Sequence, residues 1–124
     1  MGRIFLLVGI GGFLGSIARY GISLGFSKIF PLNFPYGTFT VNVLGCFLIG
    51  LFFGFSEKFE TMNDEWRIFL TIGFCGGFTT FSTFAHENLS MLQNQNYTGF
   101  FLYAAGSFIL SLLAVWGGFV LTKI

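Results

Sequence analysis

The sequence predicts an all-α membrane protein of four transmembrane helices, and three observations predict it. Only 9% of its 124 residues are charged and 54% are hydrophobic, against roughly 25% charged in an ordinary soluble domain, so water is not its solvent. The apolar runs are each near the about 20 residues that a spanning helix needs. They are also continuous, without the alternation that marks the strands of a membrane β-barrel. Short turn-rich or charged stretches separate the runs. This leaves one transmembrane domain over residues 1–124 and no room for a soluble one.

The helices are expected at about 4–26, 36–56, 66–91 and 97–121. Arg3 ahead of an apolar stretch gives the first span the look of a signal peptide, but a cleavable one has an apolar region of about 7–15 residues. This stretch runs on past Ile10 to Phe26 and is read as retained. Ser27, Lys28, Pro31, Asn33 and Pro35 form the first loop. The second loop holds most of the acid (Glu57, Glu60, Asp64, Glu65), with Asn63 or Asp64 placed to cap the third span. That span carries Gly73, Gly76 and Gly77 followed by Thr79, Thr80, Ser82 and Thr83, a poor continuous helix, so a break is expected near its middle, between Gly76 and Thr80. Unwound backbone at membrane depth survives only against protein or a watery cavity, so such a break points to a site. Gln93 to Asn96 form the last loop before the fourth span.

An even number of spans puts both termini on one face. Arg3, Lys58, Arg67 and Lys123 flank the spans there and Lys28 alone on the other, which leans toward cytoplasmic termini. The net charge of +1, without a basic run, gives no reason to expect nucleic acid as a partner. Gly11 and Gly15, Gly21 and Gly25, Gly50 and Gly54, and Gly73 and Gly77 are each four apart, one helix face per pair, and allow close helix contact. Cys46 and Cys75 fall inside apolar spans and are expected as buried small side chains, not as a disulfide or metal pair.

Polar groups in hydrocarbon are costly and face protein or water. Thr38 and Asn42 share one face of the second span, and Tyr103, Ser107 and Ser111 one face of the fourth, which suggests a lined pathway. A single hydroxyl can instead bond its own helix backbone; the Asn42 amide is less easily satisfied that way. Arg19 either snorkels to the interface or places a fixed positive charge near the mouth of an anion pathway. His86 and Glu87 are too few for a metal site; Glu87 either marks the end of the span or is a second charge at that mouth. Phe78, Phe81 and Phe84 recur every third residue, with Ser82 and Thr83 among them. Ring edges are positive and could receive an anion without offering a full charge.

The run Gly73 to Phe84, GFCGGFTTFSTF, resembles the signature of the Fluc (CrcB) fluoride channels. The likeness covers the whole chain: its length, its four spans, the early Arg19, the stretch GTFTVN ending at Asn42, and Tyr103 with Ser107 in the last helix. It implies passive export of fluoride through antiparallel, dual-topology dimers with two pores between the subunits, in the bacterial plasma membrane. By position, Phe81 and Phe84 supply ring edges, Asn42 donates beside them, and Tyr103 and Ser107 continue a polar track to which Thr38, Ser82, Thr83 and Ser111 are added. Arg19 and Glu87 would be vestibule charges. The resemblance also implies a structural sodium ion at the dimer centre, held by the backbone carbonyls of Gly76 and Thr79. Phe78, where the family often has an aliphatic residue, is expected to pack against the opposite subunit. The uneven Lys and Arg distribution leaves open an oppositely oriented paralogue as partner, although the pore motifs favour a second copy.

Two other classes fit the size. A small four-helix proton-coupled exporter needs an intramembrane carboxylate, for which only Glu87 is a candidate. A structural membrane subunit has no evident need for paired polar stripes. No nucleophile with a positioned base is recognisable, so no enzyme is expected.

Overall fold

The computed structural model describes residues 1–30, 34–58 and 63–124; Pro31, Asn33 and Glu60, assigned to loops from the sequence, lie outside them. Among the described residues the fold is all helical: α1 (Gly2–Ile29), α2 (Tyr36–Lys58), α3 (Asp64–Ile68), a π-helical segment (Phe69–Cys75), α4 (Gly76–Phe78), α5 (Phe81–Gln93) and α6 (Tyr97–Leu121). The pieces from Asp64 to Gln93 form one span, and all four spans are long and apolar enough to cross a membrane. The first three run a few residues past their expected ends, because interfacial side chains such as Ser27, Lys28 and Glu57 continue a helix as readily as they begin a loop. Asn63, one of the two expected caps, accepts the Trp66 N–H at 3.0 Å. Asn96 does the same for Gly99 at 3.0 Å, each satisfying a donor that the first turn leaves free.

The helices pack in two pairs, α2 against α6 and α1 against the π segment and α4. Glycines set both approaches. A Cβ on Gly11 would stand 2.8 Å from the Phe69 carbonyl, one on Gly15 would overlap the Phe74 carbonyl, and one on Gly77 would stand 2.5 Å from the Gly12 carbonyl. Across the other pair Gly50 meets the backbone of Val115, and Gly118 that of Phe47. A Cβ added at Gly21 or Gly25 would meet nothing within 4 Å, so among the described residues that pair is not needed for a close helix approach.

The apolar core of one chain is slender. Among the described hydrophobic residues only Val41, Cys75, Phe78, Met91 and Tyr103 are buried, and the broad outer surface of Phe, Leu and Ile meets lipid or another protein. At the end that carries the termini, Arg3 pairs with Glu65 at 2.7 Å, Arg67 with Asp64 at 3.1 Å and Lys123 with Glu57 at 3.3 Å. These pairs are largely exposed and add little stability.

Candidate functional site

The site is organised around Thr79 and Thr80, which join α4 to α5 with extended backbone (φ −88°, ψ 160° and φ −152°, ψ 120°). In a continuous helix each N–H bonds the carbonyl four residues back, and here three of those bonds are redirected. The Thr80 N–H, which would bond Gly76, goes to Asn42 Oδ1 at 2.8 Å. The Thr83 N–H, which would bond Thr79, goes to the Thr80 hydroxyl at 3.3 Å. The Gly77 carbonyl, which would accept from Phe81, accepts the Arg19 Nε–H at 3.1 Å. The carbonyls of Gly76 and Thr79 thus lose their helical donors, and Gly76 is on the exposed surface of the chain.

Asn42 braces this backbone from both sides, since its Nδ2 also donates to the Thr80 carbonyl at 3.1 Å. A side-chain amide has two N–H donors, so one remains. It borders an open cavity of about 570 Å³ lined by Asn42 and Cys46 of α2, Thr79, Thr80, Phe81 and Phe84 of the third span, and Ser107 and Ser111 of α6. The Ser107 hydroxyl is buried and makes no hydrogen bond. Phe81 lies 5.7 Å from Phe84 with its ring 79% exposed, and Phe84 lies 4.9 Å from Tyr103.

The track continues past Phe84 to Glu87. Its carboxylate accepts from the Thr38 hydroxyl at 2.9 Å and from the Tyr103 hydroxyl at 2.8 Å. Thr38 and Tyr103 therefore face Glu87 and not the cavity, and both are buried. Among the described residues no Lys or Arg pairs with Glu87.

Other residues singled out from the sequence lie elsewhere. Ser82 and Thr83 gather on the Thr80 hydroxyl, at 3.4 and 3.2 Å, as part of the cap of α5. Arg19 is half-buried beside α4. Phe78 is 2% exposed and stacks on Phe74 at 5.6 Å. That corrects the expectation of packing against the opposite subunit: Gly15 admits the Phe78 backbone and Gly45 leaves room for its ring within its own chain. Cys75 is buried, but Cys46 is only half-buried and lines the cavity; both are free thiols. His86 is exposed on α5. Cys46 was missed as a site residue, and Thr80, expected at the break, was not expected as the partner of Asn42. Cys46 had a signal, since it follows Asn42 by one helical turn, whereas the link from Thr80 to Asn42 crosses between helices and has no local mark.

Residues 6–119 match the family model described as CrcB-like protein, Camphor Resistance (CrcB). The chain is 44% identical over 121 residues to the fluoride-specific ion channel FluC of Flavobacterium psychrophilum, covering 98% of each chain. It is 46% identical over 113 residues to that of Phocaeicola vulgatus (91% of this chain, 93% of the relative), and 48% identical over 118 residues to that of Campylobacter lari (95% and 96%). With four spans and this match along nearly its whole length, the chain is a multi-pass membrane protein that belongs to the CrcB family.

Proposed function

We propose that the protein is a fluoride-selective channel that exports fluoride passively from the bacterial cytoplasm across the plasma membrane and so protects the cell from its toxicity. It works as an antiparallel homodimer with two pores. The relatives are named as ion channels and not as enzymes, and this chain is likewise no enzyme. The observation that carries the reading is the buried, unpartnered Ser107 hydroxyl in the same cavity as the Asn42 amide and the Phe81 and Phe84 rings. Fluoride is small and strongly hydrated, so a pathway must replace its water with oriented donors and still release it. Asn42 offers its second N–H and the rings their positive edges, with the unpartnered Ser107 O–H directly beneath the cavity wall. Each is neutral, so none traps the ion.

The cavity is open along one side of the chain, and Gly76 and Phe81 are exposed beside it. Carbonyls without donors are not tolerated against lipid, which supports a second copy covering this face and closing the pore wall. The third span then serves as a helix broken at Thr79 and Thr80. The donor set fits the sodium ion that the family resemblance implies: the Gly76 and Thr79 carbonyls are hard oxygen ligands freed by the redirected bonds. When bound, a sodium ion would supply a positive potential near the dimer axis. Asn42 and Arg19 hold the backbone that presents those carbonyls, with Arg19 and Glu87 as the charges flanking the pathway.

The test is fluoride release from proteoliposomes under a potassium shunt. A channel releases fluoride without a proton gradient. Release only when a pH gradient is imposed would replace this reading with coupled exchange through Glu87, and no release from folded, reconstituted dimer would leave a structural subunit.

A further inference from the structure

Glu87 lies in the middle of α5, whereas Glu57, Asp64 and Glu65 sit at span ends in ion pairs, and among the described residues no Lys or Arg pairs with Glu87. Its two hydrogen bonds come from neutral hydroxyls. A part-buried carboxylate faced only by neutral hydroxyls is costly, and here it stands one helical turn beyond Phe84, where its charge opposes an approaching anion. Beside it, at the end of the bundle away from the termini, is a second cavity of about 140 Å³. Glu87, Thr38, Ser23 and Ser27 supply its oxygens, and aromatic rings including Phe30 and Tyr36, 5.0 Å apart, form its walls. The Ser27 hydrogen is directed to the Leu24 carbonyl at 2.7 Å, so its oxygen presents lone pairs.

We infer that this cavity binds a small, weakly hydrated monovalent cation, of the size of potassium or methylammonium, that neutralises Glu87. The inference rests on the channel reading for its purpose, though not for its binding chemistry. The carboxylate provides the charge and the hydroxyls provide neutral oxygen ligands. Aromatic walls favour cations that give up water easily, whereas magnesium, which dehydrates reluctantly, is disfavoured. The volume holds such a cation with a few waters at about 30 Å³ each. This site differs from the one implied at Gly76 and Thr79, which offers only backbone carbonyls. Occupancy removes the negative charge from the mouth of the fluoride track while leaving the neutral donors beyond it unchanged.

Two measurements test the inference, both at constant low sodium and constant ionic strength. In detergent, the thermal unfolding midpoint should rise saturably when N-methyl-D-glucamine is replaced by potassium or methylammonium, and whichever acts at lower concentration identifies the preferred source. Glu87→Gln should abolish the rise. So should Ser27→Leu, which fills the cavity and spares the carboxylate. No rise in the wild type, or an equal rise in all three proteins, overturns the inference. In planar bilayers, the wild-type fluoride current should increase about tenfold on the same replacement, as expected for removing a repulsive charge at a mouth, and the Glu87→Gln current should not depend on the cation. A wild-type current indifferent to the cation overturns the inference. Absence of fluoride current in every solution would overturn the channel reading instead, and the unfolding midpoints would then decide the cation site alone.

Discussion

A polar side chain within a membrane is defined by where its hydrogen bonds go, and Asn42 shows how far this can differ from its place on a helix. Its spacing from Thr38 was legible, and so was the stripe of Tyr103, Ser107 and Ser111, because both follow from helical periodicity. The partners were not legible. Asn42 holds both backbone groups of Thr80, and Thr38 and Tyr103 turn to Glu87, contacts between helices that no spacing encodes. Asn42→Ala should therefore lower stability by about 1–3 kcal/mol for each Thr80 group left unpartnered and abolish fluoride flux, measured by detergent unfolding and liposome release. Unchanged stability would remove the brace. Arg19 can be dissected in the same way. If its task is the hydrogen bond to Gly77, Arg19→Gln retains flux and Arg19→Met loses it; if its task is charge, both lose it. Phe81→Ile and Phe84→Ile should each cut flux with the fold intact, and unchanged flux would take the rings out of the pathway.

Among the elements, the four spans were readable from apolar length alone, since little but hydrocarbon tolerates runs of that kind. The π-helical segment was not readable. Phe69 to Cys75 contain no residue type that marks an i→i+5 bond, and the segment packs against α1. The glycine pairs were readable as pairs, yet identical spacing has two outcomes. Gly15 lies on the Phe74 backbone, and Gly21 on open space. Gly15→Ala should destabilise the protein by about 1–3 kcal/mol through overpacking, whereas Gly21→Ala should be neutral or slightly stabilising, because alanine is the better helix former by about 1 kcal/mol. Unfolding in detergent checks both. A large loss from Gly21→Ala would mean that another molecule occupies that face.

For the whole molecule, the distribution of charge is in tension with dual insertion. Four flanking basic residues lie at one end and one at the other, and the ion pairs with Asp64, Glu57 and Glu65 do not remove this, since topology follows Lys and Arg and not net charge. A homodimer of opposed copies predicts that Ile124→Cys, at the exposed C-terminus, is labelled in about half of the copies by an impermeant thiol reagent added from one side, as the two-fold symmetry of such a dimer requires. Labelling of all copies from one side would call for a partner chain of opposite orientation. If the proposed sodium ion is held by the Gly76 and Thr79 carbonyls of two copies, its exhaustive removal should slow fluoride release and weaken their association, and the association should recover with sodium and not with a larger cation.

The π turn carries a consequence for how such a chain tolerates insertions and deletions. It takes up an additional residue per turn, and each residue of an α-helix advances the wheel by about 100°. It thereby acts as a clutch between the Trp66 end of the third span and the Thr79 end. Deleting Leu70 would re-engage ordinary helical gearing and rotate everything downstream by that step. Phe78 would swing out of its slot and the Thr79 and Thr80 backbone would turn away from Asn42, with scarcely any change in hydrophobicity. A shortened chain of this kind should still insert into the membrane and yet lose the brace that Asn42 gives the third span.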